Sequence, residues 1–169
     1  MTICYWDSMV KLKKVDYSNI FKILELDVYS NQKDCVATNA QSIADAYLCE
    51  TKDLPVYPFG IYNDNDLVGF IMISYGSDPD TLNPPNVSKD NYCIWRLMID
   101  KKYQRKGYGS QAIKLAIDFI KTWPNGKAKY CYLSYEPRNE LAKKLYHSLG
   151  FIENGEEDDG EIVAVYKLD

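Results

Sequence analysis

Leu97-Met98-Ile99-Asp100-Lys101-Lys102-Tyr103-Gln104-Arg105-Lys106-Gly107-Tyr108-Gly109-Ser110 passes from an apolar, strand-forming run through a short basic loop with two glycines into a helix. The helix follows from the next residues. From Gly107 to Thr122 the polar side chains Gln111, Lys114, Asp118 and Lys121 recur at three- and four-residue steps, leaving an apolar face, and Pro124 stops the run. A strand that turns through glycines into a helix is a ready anion cradle. Glycine lets the backbone approach a phosphate, the unpaired N–H groups of the first helical turn point at it, and the helix dipole favours negative charge there. Arg105 and Lys106 add positive potential. The spacing fits neither G-x-x-x-x-G-K-[ST] nor G-x-G-x-x-G. An ordinary strand-to-helix turn is the competing reading.

Outward from this segment the chain alternates between strand and helix. Val56 to Tyr62 and Leu67 to Tyr75 flank Asn63-Asp64-Asn65-Asp66, which predicts an antiparallel hairpin. Gly76 to Asn91, with Asp78-Pro79 and Asn83-Pro84-Pro85, reads as a polar loop before a strand from Tyr92 to Ile99. Tyr130 to Tyr135 predicts another strand, Asn139 to Leu149 a helix closed by Gly150, and Ile162 to Leu168 a final strand. Upstream, a strand is expected at Val10 to Lys13, with helices near Tyr17 to Asp27 and Ala40 to Cys49. No internal repeat or low-complexity tract interrupts the pattern. The expected fold class is α/β: a single domain over residues 1–169, with a mixed sheet flanked by helices.

Composition excludes several classes of function. Of the 169 residues 46% are hydrophobic and 26% charged, enough to build one core and remain soluble. Twenty Lys and Arg against 24 Asp and Glu leave a formal charge of −4, the wrong sign for a domain that neutralises nucleic-acid phosphates. No apolar run is long enough to span a bilayer, and Met1 to Asp7 has neither a basic flank nor a small-residue cleavage site, so a cytoplasmic protein is expected. The five cysteines are scattered and include no C-x-x-C pair, which suits a reducing compartment. With His147 the only histidine, no metal site is expected.

A second segment carries further chemistry: Asn139-Glu140-Leu141-Ala142-Lys143-Lys144-Leu145-Tyr146-His147-Ser148-Leu149-Gly150-Phe151. Taken with the first, it resembles the Gcn5-related N-acetyltransferases. Their Q/R-x-x-G-x-G/A signature is matched by Gln104, Gly107 and Gly109. Their N-x-x-A-x-x-L-Y-x-x-x-G-F signature is matched by Asn139, Ala142, Leu145, Tyr146, Gly150 and Phe151. The resemblance implies a splayed mixed sheet with acetyl-coenzyme A in the gap between the strands ending near Ile99 and Tyr135. It implies pantetheine contacts along the backbone of Leu97, Met98 and Ile99. Pyrophosphate contacts would fall on Arg105, Lys106, Gly107, Tyr108, Gly109 and Ser110, after Gln104, with a hydrogen bond from Asn139. An unpaired strand edge does offer N–H and C=O groups to the two pantetheine amides. Tyr146 is the implied acid that meets the departing thiolate, against a plain packing role. His147 points about 100° away on a helix and reads as a solvated residue. Covalent catalysis by Cys93 or Cys131 is the rival mechanism, and direct transfer in a ternary complex is preferred because buried thiols are inert.

For the acceptor, Leu24 to Tyr47, Pro55 to Tyr62 and Leu67 to Phe70 are similar to the bacterial spermine/spermidine acetyltransferase branch. That resemblance implies a small-molecule amine partner, with a homodimer left open. Charge argues the same way, since a polyamine is a flexible polycation. Carboxylates gather at Glu25, Asp27, Asp34, Asp45 and Glu50, and again from Glu153 to Glu161, where a solvated hairpin tip is the competing reading. Trp95 and Arg96 stand where animal polyamine acetyltransferases carry acids, so Glu25 and Glu50 are the candidates for holding or deprotonating the amine. A protein N-terminus, a lysine or an aminoglycoside-like drug remain alternative acceptors, and a non-catalytic acyl-coenzyme A sensor is the alternative from another class.

Overall fold

The computed structural model describes residues 10–77 and 81–168. The expectations for Met1 to Asp7 and for Asp78-Pro79 lie outside the described residues. Seven strands form one sheet: β1 (Val10–Lys14), β2 (Val56–Asn63), β3 (Asp66–Tyr75), β4 (Tyr92–Ile99), β5 (Tyr130–Tyr135), β6 (Ile152–Asp158) and β7 (Glu161–Lys167). Their spatial order is β1-β2-β3-β4-β5-β7-β6. Four helices complete the fold: α1 (Ile20–Leu24), α2 (Asn39–Thr51), α3 (Tyr108–Ile120) and α4 (Glu140–Ser148).

The alternating strands sort their side chains onto two faces. On one face Ile71, Ile73, Ile94, Leu133 and Ala164 meet the apolar stripe of α3, and Leu145 and Tyr146 of α4 pack against the same cluster. On the other face Phe70, Met72 and Met98 lie beneath Ile23 of α1 and Ala46 of α2. Gly69 is required where β3 passes β4, because a Cβ there would stand 2.4 Å from the Met98 carbonyl oxygen.

Every neighbouring pair is antiparallel except β4 and β5. Those two are parallel and paired at only two positions, Tyr92 with Cys131 and Cys93 with Tyr132. Beyond this they diverge. Among the described residues the downstream half of β4 therefore holds β3 on one edge and no strand on the other. The mixed, splayed sheet expected from the sequence is the observed one.

Three local expectations need correction. The helix near Tyr17 to Asp27 contracts to Ile20–Leu24: the Asn19 side chain turns away from it, Oδ1 accepting the Asp16 amide and Nδ2 donating to the Lys14 carbonyl, and Asp27 N–H donates to Asp100 Oδ2. The second helix runs slightly longer, Asn39–Thr51, because Thr38 Oγ1 accepts the Gln41 amide and caps it. Strand β6 is absent from the sequence reading. It is an edge strand, mostly exposed, paired to β7 at its two ends around an irregular stretch from Glu153 to Glu157, so no apolar alternation announces it.

Candidate active site

A cleft of about 1290 Å³ opens where β4 and β5 part. On the β4 side, Leu97, Met98 and Ile99 line it. Upstream, the register of β3 against β4 slips so that Trp95 is an extra residue opposite Met72 and Ile73, and Trp95 and Arg96 also line the cleft.

The loop after β4 is stitched down before it enters α3. Buried Asp100 accepts the amides of Asp27 (3.0 Å) and Lys102 (2.9 Å), and Lys101 N–H donates to the Asp27 carbonyl (2.9 Å). Gln104 Nε2 donates to the Ile99 carbonyl (3.0 Å) and to Gln32 Oε1 (2.8 Å), and Gln32 donates back at 3.1 Å. The Gln104 carboxamide is thus committed to positioning the loop against the 29–37 segment, itself a wall of the cleft. Arg105 and Gly107 both adopt left-handed backbone, at φ of 62° and 81°. A side chain at Gly107 would meet only Gln111 Nε2 at 3.8 Å, so its conformation, not its space, calls for glycine. Gly107 is the N-cap of α3, and the amides of Tyr108, Gly109 and Ser110 have no acceptor inside the helix. From Tyr103 to Ser110 every residue except Lys106 lines the cleft. The Lys106 ammonium sits instead over the Tyr103 ring at 5.6 Å.

Asn139 caps α4 by accepting the Ala142 amide at Oδ1 (3.1 Å). Its Nδ2 makes no hydrogen bond among the described residues. The helix so started carries Tyr146 to the cleft, stacked between Tyr135 (5.6 Å between centroids) and Phe151 (6.0 Å). Burial, then the nearby charge of Glu161, pushes the Tyr146 phenol well above its ordinary pKa, so it holds its proton at neutral pH. Cys93 and Cys131 are buried. Burial pushes the Cys93 thiol up to about 12 and raises Cys131 as well, so neither is the thiolate that covalent catalysis needs. His147 lies near Glu153 Oε1 at 3.5 Å, partly exposed, and does not line the cleft.

Glu25 and Glu50 do not reach this site. Both are exposed, one capping the end of α1 and the other on the outer face of α2, and neither lines the cleft. Its carboxylates come instead from the tip of the β6–β7 hairpin, with Asp158, Asp159 and Glu161, from Glu136 and Glu140 after β5, and from Asp34. Ser134 of β5 joins them, its hydroxyl donating to Glu161 Oε2. The acidic run pointed to this hairpin, but its tip reaches the gap only because β7 pairs with β5, which leaves no short-range signal. Arg96 sits on the same side. It stacks on Trp95 at 4.7 Å and faces Asp45 at 3.5 Å, while its Nε is buried without a hydrogen-bond partner among the described residues. Among the described residues no group of three or more His, Cys, Asp or Glu could hold a metal ion. A second hollow of about 390 Å³ near Lys13 and Asn65 contains none of the motif residues. Among the described residues no helix is long and apolar enough to cross a membrane.

The spermine/spermidine N(1)-acetyltransferase of Bacillus subtilis strain 168 is 35% identical over 162 residues, covering 94% of this chain and 99% of that protein. Among solved structures, a spermidine N-acetyltransferase from Vibrio cholerae in complex with CoA and spermine overlays with a TM-score of 0.66 at 19% identity, over 94% of each chain. The aminoglycoside acetyltransferase AAC(6')-Ib in complex with coenzyme A overlays at 0.71 with 14% identity, over 94% of this chain and 95% of that one. These two likenesses bear on the fold. The acetyltransferase (GNAT) family profile matches residues 6–151, and with that coverage joined to the 35% relative, the chain belongs to the GNAT acetyltransferase family.

Proposed function

We propose that this chain is an acetyl-coenzyme A-dependent N-acetyltransferase whose acceptor is a polyamine of the spermidine or spermine kind, acting in the cytoplasm by direct attack. The observation that carries the reading is the two-sided gap between β4 and β5. One side offers backbone N–H groups and the other carboxylates, with the Tyr146 phenol beside both. The thioester of acetyl-coenzyme A supplies the activated acetyl group. Leu97 to Ile99 present the free edge of β4 to amide-bearing pantetheine, and the first turn of α3 presents three amides to pyrophosphate. Asn139 Nδ2 adds a donor at the start of α4. Tyr146 holds a proton in position for the departing sulfur.

The acceptor half supports a cation. Asp158, Asp159 and Glu161 converge on it from the hairpin, and a polyamine has distal ammonium groups to meet them. The 35% relative is named for spermine and spermidine, which supports the same acceptor. The deciding experiment is thiol release from acetyl-coenzyme A with spermidine, spermine, a neutral-tailed primary amine, a peptide N-terminus and an aminoglycoside. A clear kcat/KM advantage for the polyamines at low salt, shrinking as salt rises, is expected. An aminoglycoside or peptide that outperforms both polyamines overturns the acceptor assignment.

A further inference from the structure

We propose that Glu161, held by the Ser134 hydroxyl, is the group that receives the proton of the reacting acceptor amine. The inference rests on the reading of the cleft as the site of acetyl transfer.

Of the carboxylates that line the cleft Asp34 is paired, and so are three that only contact its lining residues, Asp27, Asp45 and Glu153. Asp27 is bracketed by Lys33 (3.2 Å) and Lys101 (3.0 Å), Asp34 faces Arg138 at 3.7 Å, and Asp45 faces Arg96. Glu153 meets Lys143 at 3.0 Å and accepts the Tyr135 hydroxyl. Glu161 differs. It is half-buried at the start of β7, lines the cleft, and among the described residues makes no ion pair. Its one hydrogen bond comes from Ser134, next to it on the same sheet face, since Ser134 pairs with Val163 across β5 and β7. A half-buried carboxylate without a cation is costly unless a cation arrives.

Its neighbour is Tyr146. After burial, the charge of Glu161 is the next cause of the raised phenol, whereas Glu136, also half-buried in the lining, has no such effect and Glu140 acts on Tyr135. Glu161 and the phenol both line the cleft where β4 and β5 part. An alkyl ammonium with a pKa near 10.4 is neutral in only about one molecule in 2,500 at pH 7, so the step needs a proton acceptor there. Removing an ammonium–carboxylate pair from water favours its neutral form, amine plus carboxylic acid.

The balance is complete with these two groups. The acceptor R–NH3⁺ gives one proton to the Glu161 carboxylate. The freed nitrogen lone pair forms the C–N bond at the thioester carbonyl, and the C–S bond breaks with its electron pair on sulfur. Tyr146 gives its hydroxyl proton to that sulfur and regains one from the new amide nitrogen. Glu161 releases its proton to solvent at the cleft mouth. The sum is acetamide, free thiol and one proton.

The test compares two acceptors with the same polycationic tail, one ending in a primary alkyl amine and the other in an alkoxyamine, which is already neutral at the assay pH. Glu161→Gln is expected to lower kcat/KM on the alkyl amine on the order of 10²-fold while changing the alkoxyamine by only a few fold. Ser134→Ala, which leaves the carboxylate but frees it, is expected to show the same selectivity at smaller size and decides the matter if Glu161→Gln does not fold. Equal losses on both acceptors overturn the role of Glu161. A wild-type chain inactive on both acceptors overturns the acetyl-transfer reading itself.

Discussion

The two walls of the cleft proposed for cofactor and acceptor are made of different material. The cofactor wall is mainly backbone: the free edge of β4, the left-handed turn at Arg105 and Gly107, and the first amides of α3, all within 14 consecutive residues. The acceptor wall is mainly side chain: Trp95 and Arg96 from β4, Ser134 from β5, Asp34 from the 29–37 segment, and Asp158, Asp159 and Glu161 from the hairpin. A backbone cradle depends on conformation and tolerates change in most of its side chains. A side-chain wall can be retuned one residue at a time without disturbing the fold.

The sharpest way to break that contrast is Gly109→Glu, which puts a carboxylate into the amide cradle. Calorimetry with acetyl-coenzyme A is expected to show affinity at least about 100-fold weaker, a loss of roughly 2.7 kcal/mol. Gly109→Ala is expected to bind nearly as well as wild type, because its Cβ would make only ordinary contacts, 3.6 Å to Leu145 and 3.8 Å to Ile99. An alanine variant that also fails to bind means the cradle is read by side-chain volume after all.

Tyr146→Phe comes next. Its kcat is expected to fall on the order of 10²-fold while acetyl-coenzyme A affinity stays within a few fold, since the hydroxyl serves the leaving sulfur and the ring packing is kept. Unchanged kcat would return Tyr146 to a packing role.

A smaller effect is expected from Asp159→Asn. Asparagine tolerates the left-handed φ of 48° at this site, so the tip keeps its shape and loses one charge. The KM for spermidine should rise a few fold at low salt and approach the wild-type value at high salt, where the Debye length drops to about 3 Å at 1 M. A KM shift insensitive to salt would point to altered shape instead of charge.

The mildest effect tests what supports the acceptor wall from outside. Glu156 of β6 accepts the Asn86 and Val87 amides (2.7 and 3.2 Å) and the Asn154 side chain, tying the 81–91 loop to the hairpin. Burial pushes this carboxyl upward, but the hydrogen bonds from Asn86, Asn154 and Val87 outweigh it and leave the pKa lowered. A lowered folded-state pKa means the stabilisation is present above the unfolded value, near 4.3, and is lost as pH falls through the folded one. Glu156→Gln is expected to cost about 1 kcal/mol at pH 7, or roughly 2–4 °C in Tm, with the difference from wild type vanishing in acid. A cost that persists in acid assigns the effect to packing.

The contrast between the walls also explains what the sequence could disclose. The β2–β3 hairpin, β4, α3, β5 and α4 were legible because periodicity, turn residues and caps are short-range features, and the cofactor wall is built from them. The same holds for Tyr146, which travels with the Asn139 cap. Glu25 and Glu50 misled because acidity alone does not say which helix face a residue occupies. Glu161 and Ser134 meet only because β7 lies antiparallel to β5, a pairing across 27 residues with no local trace. Strand β6 escaped because an exposed edge strand needs only one hydrogen-bonded neighbour and no apolar face.

The two rungs joining β4 to β5 make that junction a seam in native-state exchange. In the strand ladder, β5, β7 and β6 join the rest of the sheet only through Tyr92–Cys131 and Cys93–Tyr132, so this leaf is expected to open below the free energy of global unfolding. A ligand seated in the seam stabilises the closed leaf by RT ln(1 + [L]/Kd), about 2.7 kcal/mol at a hundred times Kd. Deuterium uptake and proteolysis in residues 130–167 should therefore slow as acetyl-coenzyme A is added, while β1 to β3 barely respond. The enzyme's resistance to degradation would then follow the supply of its own acetyl donor.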